Sequence, residues 1–164
     1  MSSFKGIENK NEPSATQRRI VHFFVAGEEY GVPIESVKEI IYAKSIRPLP
    51  GAANGIEGII DLRGRVVPVI DLRKKLKASS AAESAQHILI LDVRRQKIGL
   101  LVDRVVQVMV IGEEIQSVEA ILDKNAPYIK GVYRMNTQLI VLLGLEQLWT
   151  EMELSQIESA LSRG

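Results

Sequence analysis

The chain has 164 residues, of which 46% are hydrophobic and 25% are charged, and its formal net charge at pH 7 is +1. The balanced charge argues against a nucleic-acid-binding protein, and the apolar content argues against intrinsic disorder. The sequence contains no cysteine, which excludes disulfides, thiolate metal sites and a thiol nucleophile. No apolar run approaches the roughly 20 residues of a membrane span, and no secretory signal is recognisable. We therefore predict a cytoplasmic protein.

Five segments follow one another along the chain. Residues 1–18 are polar and aperiodic and are predicted to form a flexible tail. Residues 19–76 and 87–148 are dense in Ile, Val and Leu and are predicted to be two β-modules, joined by a linker loop of small polar residues over 77–86. Residues 149–164 have apolar positions near helical spacing and are predicted to be a C-terminal helix.

The two dense segments have the pattern of β-strands. Short β-branched or aliphatic runs bounded by Gly, Asp or Arg occur at 20–25, 66–70, 88–91 and 139–143. Strands of this length and spacing are typical of small barrels or sandwiches.

Two capping boxes in the C-terminal segment leave the form of the helix open. Thr150-x-x-Glu153 and Ser155-x-x-Glu158 both have the capping-box pattern of a helix N-terminus. The segment can therefore be two short helices or one kinked helix.

The two dense segments also resemble each other. A shift of 68 residues places Gly31 on Gly99 and Val37 on Val105, and a shift of 73 residues places Gly58 on Gly131. Two matches in the same order indicate an internal repeat of about 60 residues. Because a module of that size buries too little surface to be comfortably stable alone, we expect the two modules to share an interface. Packing about a rough pseudo-twofold axis would let Val37 and Val105 face each other across a cleft.

No motif for catalysis or cofactor binding is present. The chain lacks GxSxG, HExxH, Walker and GxGxxG patterns. The only two histidines, His22 and His87, are not in a metal-ligand spacing, and the aromatic residues do not form a stacking platform for RNA. We therefore predict no enzyme activity, no catalytic residue, no metal site and no cofactor.

One polar turn stands out between two apolar strands. Arg63-Gly64 lies between the runs 58–62 and 66–70, and Gly64 suits a hairpin position with positive φ. Arg63 is then held out at the tip of the turn, where it is either an ordinary polar residue or an Arg presented to a partner.

Several motifs between residues 20 and 148 follow one pattern: Gly27-Glu28-Glu29-Tyr30-Gly31, Val37-Lys38-Glu39-Ile40, Leu49-Pro50, Gly58-Ile59-Ile60-Asp61-Leu62-Arg63-Gly64, Pro68-Val69-Ile70-Asp71-Leu72-Arg73 and Gly99-Leu100-Leu101-Val102-Asp103-Arg104-Val105. In these motifs the chain resembles the CheW-type coupling proteins of bacterial chemotaxis. Asp61 departs from the Asn usual in that family and can alter the hydrogen bonding of the turn. The resemblance implies a mainly β fold of two small SH3-like five-stranded β-barrels packed together, in agreement with the repeat.

The resemblance also implies a function and its residues. Proteins of this family are non-catalytic adaptors that join the regulatory domain of a chemotaxis histidine kinase, itself similarly folded, to the cytoplasmic tip of a chemoreceptor. Partner contacts are then expected at six positions: Val37, Glu39, Gly58, Arg63, Val105 and Val108. Neither nucleic-acid binding nor direct membrane insertion is expected.

Alternative functions stay open on the sequence alone. One is an adaptor of the same family in a related array that controls pili, gliding or a second messenger. Another is a stand-alone small barrel that binds a peptide.

Overall fold

A computed structural model describes residues 17–43, 46–52, 55–77, 85–122 and 126–162. Most of the expected tail, 1–18, and most of the expected linker, 77–86, lie outside the described residues. The described strands are β1 Arg18–Val25, β2 Glu28–Pro33, β3 Val37–Tyr42, β4 Ile56–Leu62, β5 Arg65–Asp71, β6 His87–Val93, β7 Gln96–Val102, β8 Arg104–Ile111, β9 Ile115–Gln116, β10 Ile129–Met135 and β11 Gln138–Leu143. The described helices are α1 Leu72–Lys75 and α2 Glu151–Ser162, and short 3-10 turns occupy Ile34–Ser36, Glu119–Ile121 and Leu145–Leu148.

The strands form two sheets. The six-stranded sheet has the order β8-β1-β2-β11-β10-β9, and the five-stranded sheet has the order β3-β6-β7-β5-β4. Neighbouring strands are antiparallel except for one parallel pair in each sheet, β2 with β11 and β5 with β7. The predicted mainly β fold of two small β domains is confirmed.

Each sheet takes strands from both halves of the sequence. The hairpin β1–β2 pairs with β8 and β11, and the hairpin β6–β7 pairs with β3 and β5. The sheets therefore differ from the contiguous modules expected over 19–76 and 87–148, because each repeat gives its first hairpin to the sheet of the other. Such an exchange suits short repeats, since neither one alone buries enough surface to be stable.

The strand registers follow the repeat. Val37 pairs with Leu91 in the five-stranded sheet, and Val105 pairs with Phe23 in the six-stranded sheet. The 68-residue shift relates these two pairs, and a β-bulge lies beside each of them. The pairing of β4 with β5 corresponds in the same way to that of β10 with β11, at a shift of 73 residues. The two domains are thus copies of one pairing scheme.

A hydrophobic cluster between the sheets, here called the shared core, holds the two domains together. Alternate residues of β1 and β6 point into it, whereas the residues between them point into the separate cores of the two sheets. Its buried members are Val21, Phe23, Val25, Val32, Ile70, Leu72, Leu89, Leu91, Val93, Ile98, Leu100, Val102, Leu143, Leu145, Leu148, Trp149, Leu154 and Ile157. Both domains and the C-terminal helix therefore depend on one interface.

Helix α2 is a single helix that begins at the first capping box. The Thr150 amide donates to Glu153 Oε1 (2.9 Å), and the Glu153 amide donates to Thr150 Oγ1 (3.1 Å). The helix continues through the second box without a break. Its Leu154 and Ile157 are buried in the shared core beside Trp149. Within the described ranges, no helix is both long and apolar enough to cross a bilayer.

The start of α2 should be sensitive to acid. Burial raises the pKa of the Glu153 carboxyl, but the hydrogen bonds from Lys75 and Thr150 and the charge of Lys75 outweigh it and hold the pKa below its ordinary value of 4.5. A depressed folded pKa stabilises the protein above the unfolded value, and this contribution is lost as the pH falls through the folded pKa. Between pH 6 and pH 3, the parent should therefore lose more melting temperature than Glu153→Gln. Parallel melting curves for the two proteins would contradict this expectation.

Candidate partner-binding surfaces

One side of each sheet forms the shared core. Strand β3 at the edge of the five-stranded sheet and strand β8 at the edge of the six-stranded sheet continue that side. Cross-strand partners in a sheet point to the same side. The β3 residues on this face are Val37, Ile40 and Tyr42, opposite Leu91, Leu89 and His87 of β6. The β8 residues on this face are Val105, Val108 and Val110, opposite Phe23, Val21 and Arg19 of β1. We call these six residues of β3 and β8 the groove walls.

His87 contacts both groove walls, which therefore lie on the same side of the molecule. The Val105 amide at the start of β8 donates to His87 Nδ1 (3.1 Å), and the Tyr42 ring at the end of β3 lies 5.2 Å from the His87 ring between centroids. Val37 and Val105 are half-buried at the margin of the shared core, whereas 73% of Tyr42 and 48% of Val108 are exposed. The walls therefore form an apolar surface that the described residues leave uncovered. That Val37 and Val105 directly face each other stays a prediction.

The Arg63-Gly64 turn has the predicted hairpin geometry. Arg63 has φ 51° and Gly64 has φ 83°, so both central residues of the two-residue turn are left-handed, as in a type I′ turn. Asp61 Oδ1 accepts a hydrogen bond from the Gly64 amide (2.8 Å). The aspartate that departs from the family pattern therefore caps the turn itself.

The Arg63 side chain does not extend freely from the turn but binds Glu39 of β3. Nη1 donates to Oε1 (2.9 Å) and Nη2 donates to Oε2 (2.7 Å), which is a bidentate pair with defined orientation. The hydrogen bonds lower the pKa of the Glu39 carboxyl and raise the pKa of the Arg63 guanidinium. The Arg63 side chain is still 71% exposed. We call Glu39 and Arg63 the charged fork.

An open cavity of about 730 Å³ lies beside the charged fork. Its apolar lining includes Ile41, Ile59 and Val66, and 54% of Val66 is exposed. The fork is therefore the charged edge of a second, partly apolar surface, on the face of β3 opposite the groove walls.

Gly58 is buried where β4 meets the segment after β3. A Cβ atom on Gly58 would lie 2.3 Å from the Arg47 carbonyl oxygen. Arg47 exchanges both backbone hydrogen bonds with Ile59 (2.8 and 2.9 Å), which joins the segment after β3 to the edge strand β4. Because Gly58 has no side chain, the Arg47 segment can pair with β4. A direct partner contact at Gly58 stays a prediction.

Gly58→Ala is expected to destabilise the protein by about 1–3 kcal/mol, because the new methyl group collides with backbone rather than with a flexible side chain. Gly112→Ala is the matched control, since a Cβ there meets nothing within 4 Å. Urea unfolding of both variants measures the difference. Equal urea midpoints for Gly58→Ala and Gly112→Ala would contradict this expectation. They would show that the Arg47 segment moves away from the new methyl group without a loss of stability.

The charged fork belongs to one domain only. The repeat counterparts of Glu39 and Arg63 are Gln107 and Asn136, and Asn136 has nearly the same backbone conformation as Arg63, with φ 57°. Gln107 instead contacts the buried His22 ring (3.4 Å). The two domains thus share a scaffold but differ in the polar side chains at these positions.

The structure divides five of the six predicted partner residues into two groups. Val37, Val105 and Val108 belong to the groove walls, and Glu39 and Arg63 form the charged fork. Gly58 is in neither set and is buried beside the Arg47 backbone. Ile40, Tyr42 and Val110, which complete the walls, were not predicted from the sequence. Their only sequence signal was an apolar side chain in an edge strand, which is also typical of a core residue.

Known proteins resemble this chain over nearly all of the described residues. Residues 19–153 match the family model of the CheW-like domain. The chain belongs to the CheW-like family. Over 148 residues this CheW-like chain is 34% identical to the chemotaxis protein CheW of Treponema pallidum, covering 86% of this chain and 87% of the relative. It is 33% identical to the probable chemotaxis protein CheW of Rhizobium etli, covering 83% and 90%.

A solved structure agrees with this membership. The scaffolding protein TtCheW from Thermoanaerobacter tengcongensis superimposes on the CheW-like chain with a TM-score of 0.75 and 32% identity, covering 85% of this chain and 92% of that one. The predicted family is thereby confirmed, and so, at the level of the family, is the predicted function of a chemotaxis adaptor.

Proposed function

We propose that this CheW-like protein is a non-catalytic cytoplasmic adaptor that joins the tip of a chemoreceptor to the regulatory domain of a histidine kinase. The observation that carries the proposal is that β3 presents a different surface on each of its two faces: groove-wall residues on one, and Glu39 of the charged fork on the other. Two surfaces on opposite faces allow two partners to bind at the same time, which an adaptor requires.

The groove walls suit a helical receptor tip. An amphipathic helix docks by laying an apolar stripe into a hydrophobic groove. The walls offer β-branched side chains from two strands together with the exposed Tyr42 ring. Contiguous exposed apolar patches often mark interaction sites, whereas single exposed apolar residues are common on any protein surface.

The charged fork suits recognition of a polar partner group. Glu39 uses one Nη1 and one Nη2 hydrogen of Arg63, and the guanidinium has further N–H donors in the same plane. Because the ion pair holds this plane in place, a partner carboxylate or carbonyl meets donors that are already oriented.

Arg63→Ala tests the proposal. The side chain is exposed, so its loss should leave the melting temperature nearly unchanged, while activation of the kinase in a reconstituted array of receptor, adaptor and kinase falls about tenfold or more. Arg65→Ala is the matched control, because Arg65 is exposed two residues further along the same hairpin. Separate titrations with a receptor-tip fragment and with the kinase regulatory domain identify the partner that Arg63 contacts.

Two results would count against the role of Arg63. A much lower melting temperature would make the residue structural. Normal kinase activation by a well-folded Arg63→Ala protein would remove the charged fork from the binding surface.

A further inference from the structure

The chain crosses from the five-stranded sheet to the six-stranded sheet at Asp103, between β7 and β8. Asp103 is 1% exposed. Its amide donates to the Phe24 carbonyl (3.0 Å), and its Oδ2 accepts from the Ala26 amide (2.8 Å), so both groups bind the β1–β2 hairpin. Its carbonyl accepts from the Gln86 amide (2.9 Å), next to β6. Asp103 is therefore bonded to both domains.

Arg73 lies between Asp103 and a second buried carboxylate, Asp71. The Arg73 amide and Nε donate to Asp71 Oδ1 (2.9 and 3.2 Å), and Nη2 donates to Asp71 Oδ2 (3.1 Å). The same Nε lies 3.9 Å from Asp103 Oδ1, a buried oxygen without a hydrogen-bond partner in the described part of the chain. Arg73 thus places one cation against buried carboxylates on two sides.

Buried carboxylates need such a cation. Burying a charge costs several kcal/mol unless it is paired, and removal of one partner leaves the other uncompensated. The pKa of Arg73 is raised, chiefly by its hydrogen bonds to Asp71 and further by the charges of Asp71 and Asp103, against the opposing effect of burial. Loss of the Arg73 side chain would therefore leave the charges of Asp71 and Asp103 less well compensated, and loss of either carboxylate would do the same to the charge of Arg73.

The fold itself does not require this cluster. The pseudo-equivalent crossing, from β2 to β3, has Glu35 at the position of Asp103, and Glu35 is exposed. The counterparts of Asp71 and Arg73 are Gly144 and Glu146, which cannot form the same arrangement. Of these two described crossings, only the one that leads into β8 has buried charges.

We propose that Asp71, Arg73 and Asp103 form a clasp that fixes the β8 groove wall relative to the five-stranded sheet. Strand β8 begins at Arg104, directly after Asp103, so the position of the crossing sets the position of Val105 and Val108. The three residues are positioning residues: they act through the geometry of the groove. Their effect on receptor binding rests on the function proposed above, whereas their effect on domain orientation does not.

Spin-label distances test the clasp. The chain has no cysteine, so cysteines introduced at the exposed positions Val66 and Leu139 place one label on each domain at equivalent sites of the repeat. Arg73→Gln removes the cation, and Asp103→Asn keeps an acceptor for the Ala26 amide while removing the charge. Asp92→Asn is the control, since it breaks a partly exposed ion pair with Lys97 at the β6–β7 turn, away from the crossing.

The clasp predicts a broader or shifted distance distribution for Arg73→Gln and an unchanged one for Asp92→Asn. The double variant Arg73→Gln/Asp103→Asn should unfold at a higher denaturant concentration than Arg73→Gln alone, because one of the two carboxylates left without a cation is then neutral. The affinity for a receptor-tip fragment should fall about tenfold in Arg73→Gln. If Arg73→Gln does not fold, Arg73→Lys replaces it with the same expected outcomes, because one ammonium cannot serve both carboxylates in the geometry of the guanidinium.

A folded Arg73 variant with the parental distance distribution would overturn the clasp. A changed spin-label distance distribution with unchanged receptor affinity would show that the clasp restrains the two domains. It would also show that the clasp does not affect receptor binding at the groove. The groove itself is tested separately by Val108→Asp, so a failure of the proposed function can be distinguished from a failure of the clasp.

Discussion

Val69→Asp is expected to unfold the CheW-like protein, whereas Val108→Asp is expected to leave it folded and unable to bind a receptor tip. Val69 is fully buried between the strands of the five-stranded sheet, so a carboxylate there is buried and unpaired. Such a change costs on the order of 4 kcal/mol, a large part of the stability of a small domain. Val108 is half exposed on its groove wall, where a carboxylate stays hydrated in the free protein.

Val105→Asp should lie between these two variants. Val105 is half-buried at the margin of the shared core, so we expect a moderate loss of stability together with the loss of receptor binding. Circular dichroism melting and titration with a receptor-tip fragment measure the two effects separately. The assignment of the groove is wrong if Val108→Asp binds the fragment normally, or if Val105→Asp unfolds as completely as Val69→Asp.

The second large effect is expected in the C-terminal helix. Leu154 and Ile157 are buried in the shared core, and truncation of a buried Leu or Ile to Ala costs about 2–5 kcal/mol. Met152 lies in the same helix and is 72% exposed, so Met152→Ala should change the stability by less than about 0.5 kcal/mol.

Urea unfolding of the three helix variants distinguishes a structural helix from an accessory one. We expect a single cooperative transition that shifts as a whole in Leu154→Ala and Ile157→Ala, because the helix and both sheets share one core. An early partial transition, with both sheets unfolding at the parental midpoint, would show that the helix does not stabilise the domains.

The sequence was sufficient to predict the β class, the repeat and the turn at Arg63. These features depend on local signals: β-branched runs between turn residues, and a Gly that accepts positive φ. The exchange of hairpins between the repeats was not predictable in the same way. A hairpin buries the same residues whether it completes its own sheet or the other one, so composition and periodicity are identical in both arrangements.

The division of the predicted partner residues between two surfaces also required the structure. In a regular strand, Val37 and Glu39 would point to the same side. The β-bulge between them reverses this alternation and places Val37 with Ile40 and Tyr42 instead. The charged fork could not be predicted from the sequence either, because Glu39 and Arg63 are 24 residues apart and come together only through the pairing of strands.

The most direct test of the adaptor function is a ternary complex in solution. The CheW-like protein is mixed with a receptor-tip fragment and a kinase regulatory domain, and the mass of the eluted complex is measured by light scattering after size-exclusion chromatography. We expect one complex that contains all three components, and Val108→Asp should release the receptor fragment while retaining the kinase domain. Mutually exclusive binding of the two partners, or binding of neither, would contradict it.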